Sequence, residues 1–181
     1  MEQKDTYTIN VAGLTRELKI CPVNDSLDIA AFVMFSDVEM TIACAQELLK
    51  VTPEFDIIIT AESKGIPLAY EMSRQSGKKY ILARKSQKLY MKNTVEVLVD
   101  SITTSGIQKL YLDEDDMLFL RGKNVLLVDD VISTGQSITA LEKLVEHAGG
   151  KIAGRACVLA EGDAAQRDDI IFLAPLPLFF K

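Results

Sequence analysis

Four short apolar runs constrain this chain most: DIIIT at 56–60, KYILA at 79–83, NVLLV at 124–128 and GRACVLA at 154–160. DIIIT is a compact β-branched run of the kind buried in a sheet, and the other three also read as strands. The segments between them are helical or turn-forming. After DIIIT, Pro67 suits the first turn of a helix and Gly77 suits its stop. After NVLLV, residues 137–147 place Ile138, Leu141, Val145 and Ala148 on one helical face and end at Gly149-Gly150. Upstream, Ser36-Asp-Val-Glu39 has the capping-box pattern. It predicts a helix with Val38, Ile42, Ala45 and Leu49 inward and Pro53 beyond its end. Two alternating segments near 94–101 and 109–112 predict a hairpin with Gly106 near its turn.

Strand, helix, strand, hairpin, strand, helix, strand is the order of an α/β protein with a mainly parallel twisted sheet flanked by helices. With 181 residues, 48% of them hydrophobic, the chain can bury one domain core. A net charge of −6 gives no basic footprint for nucleic acid or a membrane surface. Cys21, Cys44 and Cys157 show neither disulfide nor zinc spacing and read as buried thiols in a reducing compartment. The start MEQKDTYTIN lacks the pattern of a signal peptide, and the apolar run at 29–35 is too short to span a bilayer. A cytoplasmic location is expected. The single histidine, His147, reads as a cation at a helix C-terminus.

Ligands of parallel sheets bind beyond the carboxyl ends of the strands, so the loops there carry the chemistry. The stretch VLLVDDVISTGQSI places Asp129 and Asp130 at the end of a strand. Adjacent like charges resist burial, so a partner must meet them. Next comes Ser133-Thr134-Gly135-Gln136-Ser137, where Gly135 permits backbone angles that turn N–H groups inward at a helix N-terminus. The loop has neither the Walker A pattern nor the glycines of a dinucleotide fingerprint. A phosphate cradle preceded by two carboxylates suits a phosphorylated sugar with a vicinal diol. Direct binding of a divalent metal by the two acids is the rival reading.

VLLVDDVISTGQSI resembles the phosphoribosyl-pyrophosphate (PRPP) motif of the type I phosphoribosyltransferases. The resemblance implies that Asp129 and Asp130 hold the ribose hydroxyls and that Ser133, Thr134, Gly135, Gln136 and Ser137 hold the 5-phosphate. Ala61-Glu-Ser-Lys-Gly65 resembles the family's pyrophosphate loop, which implies roles for Ser63, Lys64 and Gly65 and a cis peptide at Ser63–Lys64. Arg84-Lys85 matches the family's basic pair. Residues 86–104 match its mobile catalytic loop, with Lys88, Tyr90 and Lys92 as contacts. Asp129, Lys88 and Tyr90 are the implied catalytic residues. Magnesium is implied as a cofactor held mainly by PRPP, with no direct protein ligand. The family pattern also implies a homodimer, a core at 36–164, and a small hood built from 1–35 with 165–181.

The shared reaction moves ribose phosphate from PRPP to a nitrogenous base and releases pyrophosphate. The layout most resembles the purine enzymes, and adenine is the first choice. Adenine enzymes usually carry Glu-Tyr-Gly where this chain reads Thr103-Thr-Ser-Gly106, and ARKSQKLYMKN with SITT downstream resembles xanthine enzymes. The Asp129-Asp130 pair and the STG loop look more like the adenine group. A third reading is a PRPP-sensing regulator, because bacterial purine repressors of one class keep a segment similar to KGIPLA at 64–69. Those repressors carry an N-terminal winged helix, whereas the 55 residues before DIIIT are not basic, so a DNA-binding module would have to be lost or supplied by a partner.

Overall fold

A computed structural model describes residues 5–100 and 107–181, with the side chains of 99, 100, 107 and 108 undescribed. Its centre is a sheet of five parallel strands: β4 (Ile57–Ala61), β5 (Lys79–Ala83), β8 (Asn124–Ile132), β9 (Lys151–Glu161) and β10 (Ile171–Leu176). Their order is β10-β9-β8-β4-β5, and every neighbouring pair is parallel. All five residues of β4 are buried, as expected for a strand covered on both faces.

One face of the sheet packs on α4 (Gln136–His147) and on the hairpin of β6 (Val95–Asp100) and β7 (Ile107–Leu112). Ile138, Leu141 and Val145 of α4 and its C-cap residue Ala148 are buried there, as their spacing predicts. His147 lies exposed in the last turn of α4. The short α3 (Glu114–Leu120), which the sequence pattern did not mark, buries Leu120 in the same core. The expected turn at Gly106 lies outside the described residues.

The other face packs on α1 (Val38–Val51) and α2 (Ile66–Ser76), which ends at the left-handed Gly77. Two expectations for α1 need correction. Its N-cap is Asp37 rather than Ser36: Asp37 Oδ1 accepts from the Met40 N–H at 3.1 Å. Glu39, the other half of the expected capping box, pairs instead with Arg16 at 2.7 Å. The buried face is Met40, Thr41, Cys44, Ala45 and Leu48, whereas Val38 is 67% exposed and Ile42 41%. The sequence offers two apolar stripes sharing Ala45, and the small side chains of Cys44 and Ala45 belong to the one that packs inward.

A second sheet has the order β1-β2-β3-β11: β1 (Thr6–Val11), β2 (Leu14–Asn24), β3 (Leu27–Ala31) and β11 (Leu178–Phe180). The C-terminal segment therefore joins this hood only through β11. The residues of β10, expected in the hood, belong to the central sheet by their pairing with β9. Lys181 straps the end down, with Nζ 2.9 Å from Asp28 Oδ1. Cys44 and Cys157 are buried, and burial pushes both thiols up to about 12; Cys21, expected to be buried, is only partly so, on hood strand β2. Among the described residues, no helix is long and apolar enough to cross a membrane.

Candidate active site

Three strand ends, those of β4, β5 and β8, bring Ser63, Lys64, Gly65, Arg84, Lys85, Asp129 and Asp130 to one edge of the sheet. At the end of β8, Asp130 is 2% exposed and its backbone N–H donates to Asp129 Oδ1 at 2.9 Å. The partner that two adjacent acids require is Lys64, whose Nζ lies 3.6 Å from Asp130 Oδ2. That distance gives an ion pair without a hydrogen bond, so Asp130 Oδ2 is a buried acceptor still lacking a donor. Burial pushes the Asp129 carboxyl well above the usual carboxylate range. The neighbouring Asp130 charge adds to the rise, and Lys64 opposes it.

The loop between β4 and α2 lies directly against these acids. Gly65 is its pivot, because a Cβ there would sit 2.4 Å from Thr60 Oγ1 and 3.2 Å from Asp129 Oδ1. Glycine is required at this point by the close approach, since its φ of −73° suits any residue. The cis peptide bond joins Glu62 to Ser63, correcting the expected position at Ser63–Lys64. Glu62 is the last residue of this loop tied to β5, its N–H donating to the Ala83 carbonyl at 2.9 Å.

Glu62 carries no mark in the sequence, yet it organises the basic pair. Its Oε1 lies 3.3 Å from Arg84 Nη2, and its Oε2 accepts from the Lys85 backbone N–H at 2.9 Å. Arg84 is also pinned through its backbone, which exchanges two hydrogen bonds with Tyr111 of β7. Arg84 Nε is buried without a hydrogen-bond partner. Thr60, Lys64, Gly65, Asp129 and Asp130 thus form one contact group and Glu62, Arg84 and Lys85 another, and the loop backbone from Glu62 to Gly65 joins them.

Ser133 to Ser137 form the passage from β8 into α4. Gly135 is its N-cap residue, with a left-handed φ of 78°, and no side chain caps the helix's free amides. Those amides and the exposed hydroxyls of Ser133, Thr134 and Ser137 make an anion cradle.

Lys88, Tyr90 and Lys92, expected as contacts of a mobile catalytic loop, sit apart from this group. Lys88 Nζ donates to Ser86 Oγ at 2.6 Å, Tyr90 is 66% exposed, and Lys92 lies at the surface. Among the described residues no hydrogen bond or ion pair joins them to Asp129 or Asp130. Thr103-Thr-Ser-Gly106 lies outside the described residues. No cluster of three or more histidine, cysteine, aspartate or glutamate side chains forms a metal site among the described residues.

The model of the phosphoribosyl transferase domain family matches residues 41–174, well over half of the sequence. The chain belongs to this family. The phosphoribosyltransferase is 30% identical over 148 residues to a hypoxanthine/guanine phosphoribosyltransferase of Methanococcus voltae, covering 82% of this chain and 73% of that one. It is 37% identical over 117 residues to an adenine phosphoribosyltransferase of Cenarchaeum symbiosum, covering 64% of this chain and 66% of that one. The chain thus spans just under two-thirds of the adenine relative's length. Its fold matches the crystal structure of adenine phosphoribosyltransferase from Thermoanaerobacter pseudethanolicus with a TM-score of 0.71. The match covers 87% of this chain and 95% of that one at 22% identity. The five-stranded parallel sheet flanked by helices is the type I phosphoribosyltransferase fold.

Proposed function

We propose that this phosphoribosyltransferase moves the 5-phosphoribosyl group of PRPP onto a purine base, adenine first, releasing pyrophosphate. The observation that carries the reading is the meeting of Asp129 and Asp130 with Lys64 and Gly65, next to the uncapped N-terminus of α4. Asp129 and Asp130 accept hydrogen bonds from the ribose 2- and 3-hydroxyls, which supply the donor that Asp130 Oδ2 lacks. The Ser133–Ser137 amides hold the 5-phosphate. Lys64, Arg84 and Lys85 face the departing pyrophosphate, with Ser63 and Gly65 giving its loop the room to approach.

Breaking the anomeric C–O bond leaves an oxocarbenium-like ribose and sends the electron pair to pyrophosphate, while a base nitrogen forms the new bond. The protein contributes position and charge complementarity and needs no covalent nucleophile. Magnesium carried in by PRPP supplies further neutralisation of the leaving group. In this reading Asp129 and Asp130 serve the diol, and magnesium would be held mainly by PRPP.

The test is pyrophosphate release from PRPP and magnesium with adenine, hypoxanthine, guanine, xanthine and orotate in turn. Adenine is expected to be fastest. Hypoxanthine is the second reading, favoured by the wider match to the Methanococcus voltae relative. No release with any base, despite tight PRPP binding, would make the protein a PRPP sensor.

The lid reading carries its own expectation. Replacing Lys88 and Tyr90 should lower turnover by more than it lowers PRPP affinity, because they reach the site only on closure. Equal losses in the two measurements would reduce them to binding contacts. A homodimer is also proposed, supported by the exposed Val33 and Phe35 just before α1 and Val38 and Ile42 in its first turns. Light scattering that returned a monomer at working concentration would overturn it.

A further inference from the structure

One side chain outside every predicted group touches the phosphate cradle. Arg167 follows the 3-10 helix Gly162–Gln166 at the carboxyl end of β9, the strand beside β8. A Cβ on Gly135 would lie 2.5 Å from Arg167 Nη1, so the guanidinium rests against the cradle's own backbone. Asp169 holds the other side of the fork: Nε donates to Oδ1 at 2.8 Å and Nη2 to Oδ2 at 2.7 Å. Nη1 donates to no group among the described residues. Asp169 is in turn 3.9 Å from Arg155 Nε, and Arg155 pairs with Glu142 of α4. The same helix that offers its amides to the phosphate thus fixes where the guanidinium stands.

We propose that Arg167, braced by Asp169, is a phosphate-positioning residue, its free Nη1 edge holding the Gly135 turn in place and contacting the 5-phosphate of the sugar. The inference rests on the PRPP reading of the site. The Ser133–Ser137 loop carries no lysine or arginine, so a phosphate dianion there needs a cation from elsewhere. A guanidinium whose orientation is already fixed loses little freedom in meeting it.

The test is calorimetric titration of the wild type, Arg167→Met, Arg167→Lys and Asp169→Asn with ribose 5-phosphate and, separately, inorganic pyrophosphate. Arg167→Met keeps much of the apolar stem and loses the charge. It should weaken ribose 5-phosphate binding by about tenfold to a hundredfold, the range for a lost charge-assisted contact, and leave pyrophosphate nearly unchanged. Arg167→Lys should recover part of the loss, which a prop acting by bulk alone would not produce. Should Arg167→Met fail to fold, Asp169→Asn decides, with a several-fold selective loss expected. Wild-type affinity for ribose 5-phosphate in the folded variant, or equal losses for both ligands, overturns the role of Arg167. A wild-type protein that binds neither ribose 5-phosphate nor PRPP overturns the PRPP reading instead.

Discussion

Asp129→Asn combined with Asp130→Asn is expected to abolish measurable PRPP binding and leave the fold standing. Each carboxylate accepts from a ribose hydroxyl, and a hydrogen bond to a charged group contributes ~1.5–3 kcal/mol. Losing two such bonds costs roughly a hundredfold to ten-thousandfold in affinity. Stability moves the other way. The buried Asp130 and the partly buried Asp129 beside it share one half-exposed lysine, 3.6 Å from Asp130, so the charges oppose burial more than they support folding. Calorimetry giving wild-type PRPP affinity for the double variant would end the diol assignment.

The single change Asp129→Asn adds a pH signature. The folded-state carboxyl is held well above its ordinary value by burial first and by Asp130 second. Between about pH 4, where an unfolded aspartate titrates, and that raised value, the folded chain keeps a proton that the unfolded chain has released. Stability therefore falls as pH rises through this window. Asp129→Asn should raise the unfolding midpoint at pH 7 relative to the wild type, with the difference shrinking toward zero below about pH 4. A difference that grows toward acid would show that Asp129 is stabilised as the anion.

Much of this site was legible because its residues act in sequence-local groups. Lys64-Gly65 and Arg84-Lys85 each follow a strand whose apolar run is plain, Asp129-Asp130 lie near the end of a third that runs on to Ile132, and the parallel order of the sheet puts those strand ends at one edge. Residues that act across elements left no such mark. Glu62 matters through the Lys85 amide and Arg84, and Arg167 matters through Gly135, and neither pairing has a spacing a sequence can display. The buried face of α1 escapes the sequence for another reason. Two apolar stripes overlap at Ala45, and the choice between them depends on tertiary fit that periodicity does not contain. The hood has the weakest signal of all, since β11 is three residues long and finds its place through tertiary contacts, its pairing with β3 and the packing of Phe179 on Tyr7.

Gly65→Ala is expected to be the most damaging single methyl group in the site. The added carbon would stand 2.4 Å from Thr60 Oγ1, a separation side-chain atoms do not tolerate, with Asp129 Oδ1 at 3.2 Å on the same side. Thr60 is fully buried on β4, so it cannot swing away, and the loop must retreat from the acids instead. Overpacking of this kind costs ~1–3 kcal/mol of stability, and a shift of about 1 Å in a positioning loop lowers turnover by on the order of a hundredfold. A second substitution locates the cause. Thr60 Oγ1 is buried with no hydrogen-bond partner, so Thr60→Ala removes the obstructing atom without orphaning another group. Gly65→Ala with Thr60→Ala should therefore recover part of both the pyrophosphate affinity and the melting midpoint, a coupling that a double-mutant cycle reads directly. Additive losses would place the defect in the loop's own backbone, and wild-type pyrophosphate affinity for Gly65→Ala alone would show that the loop does not need this close approach to bind.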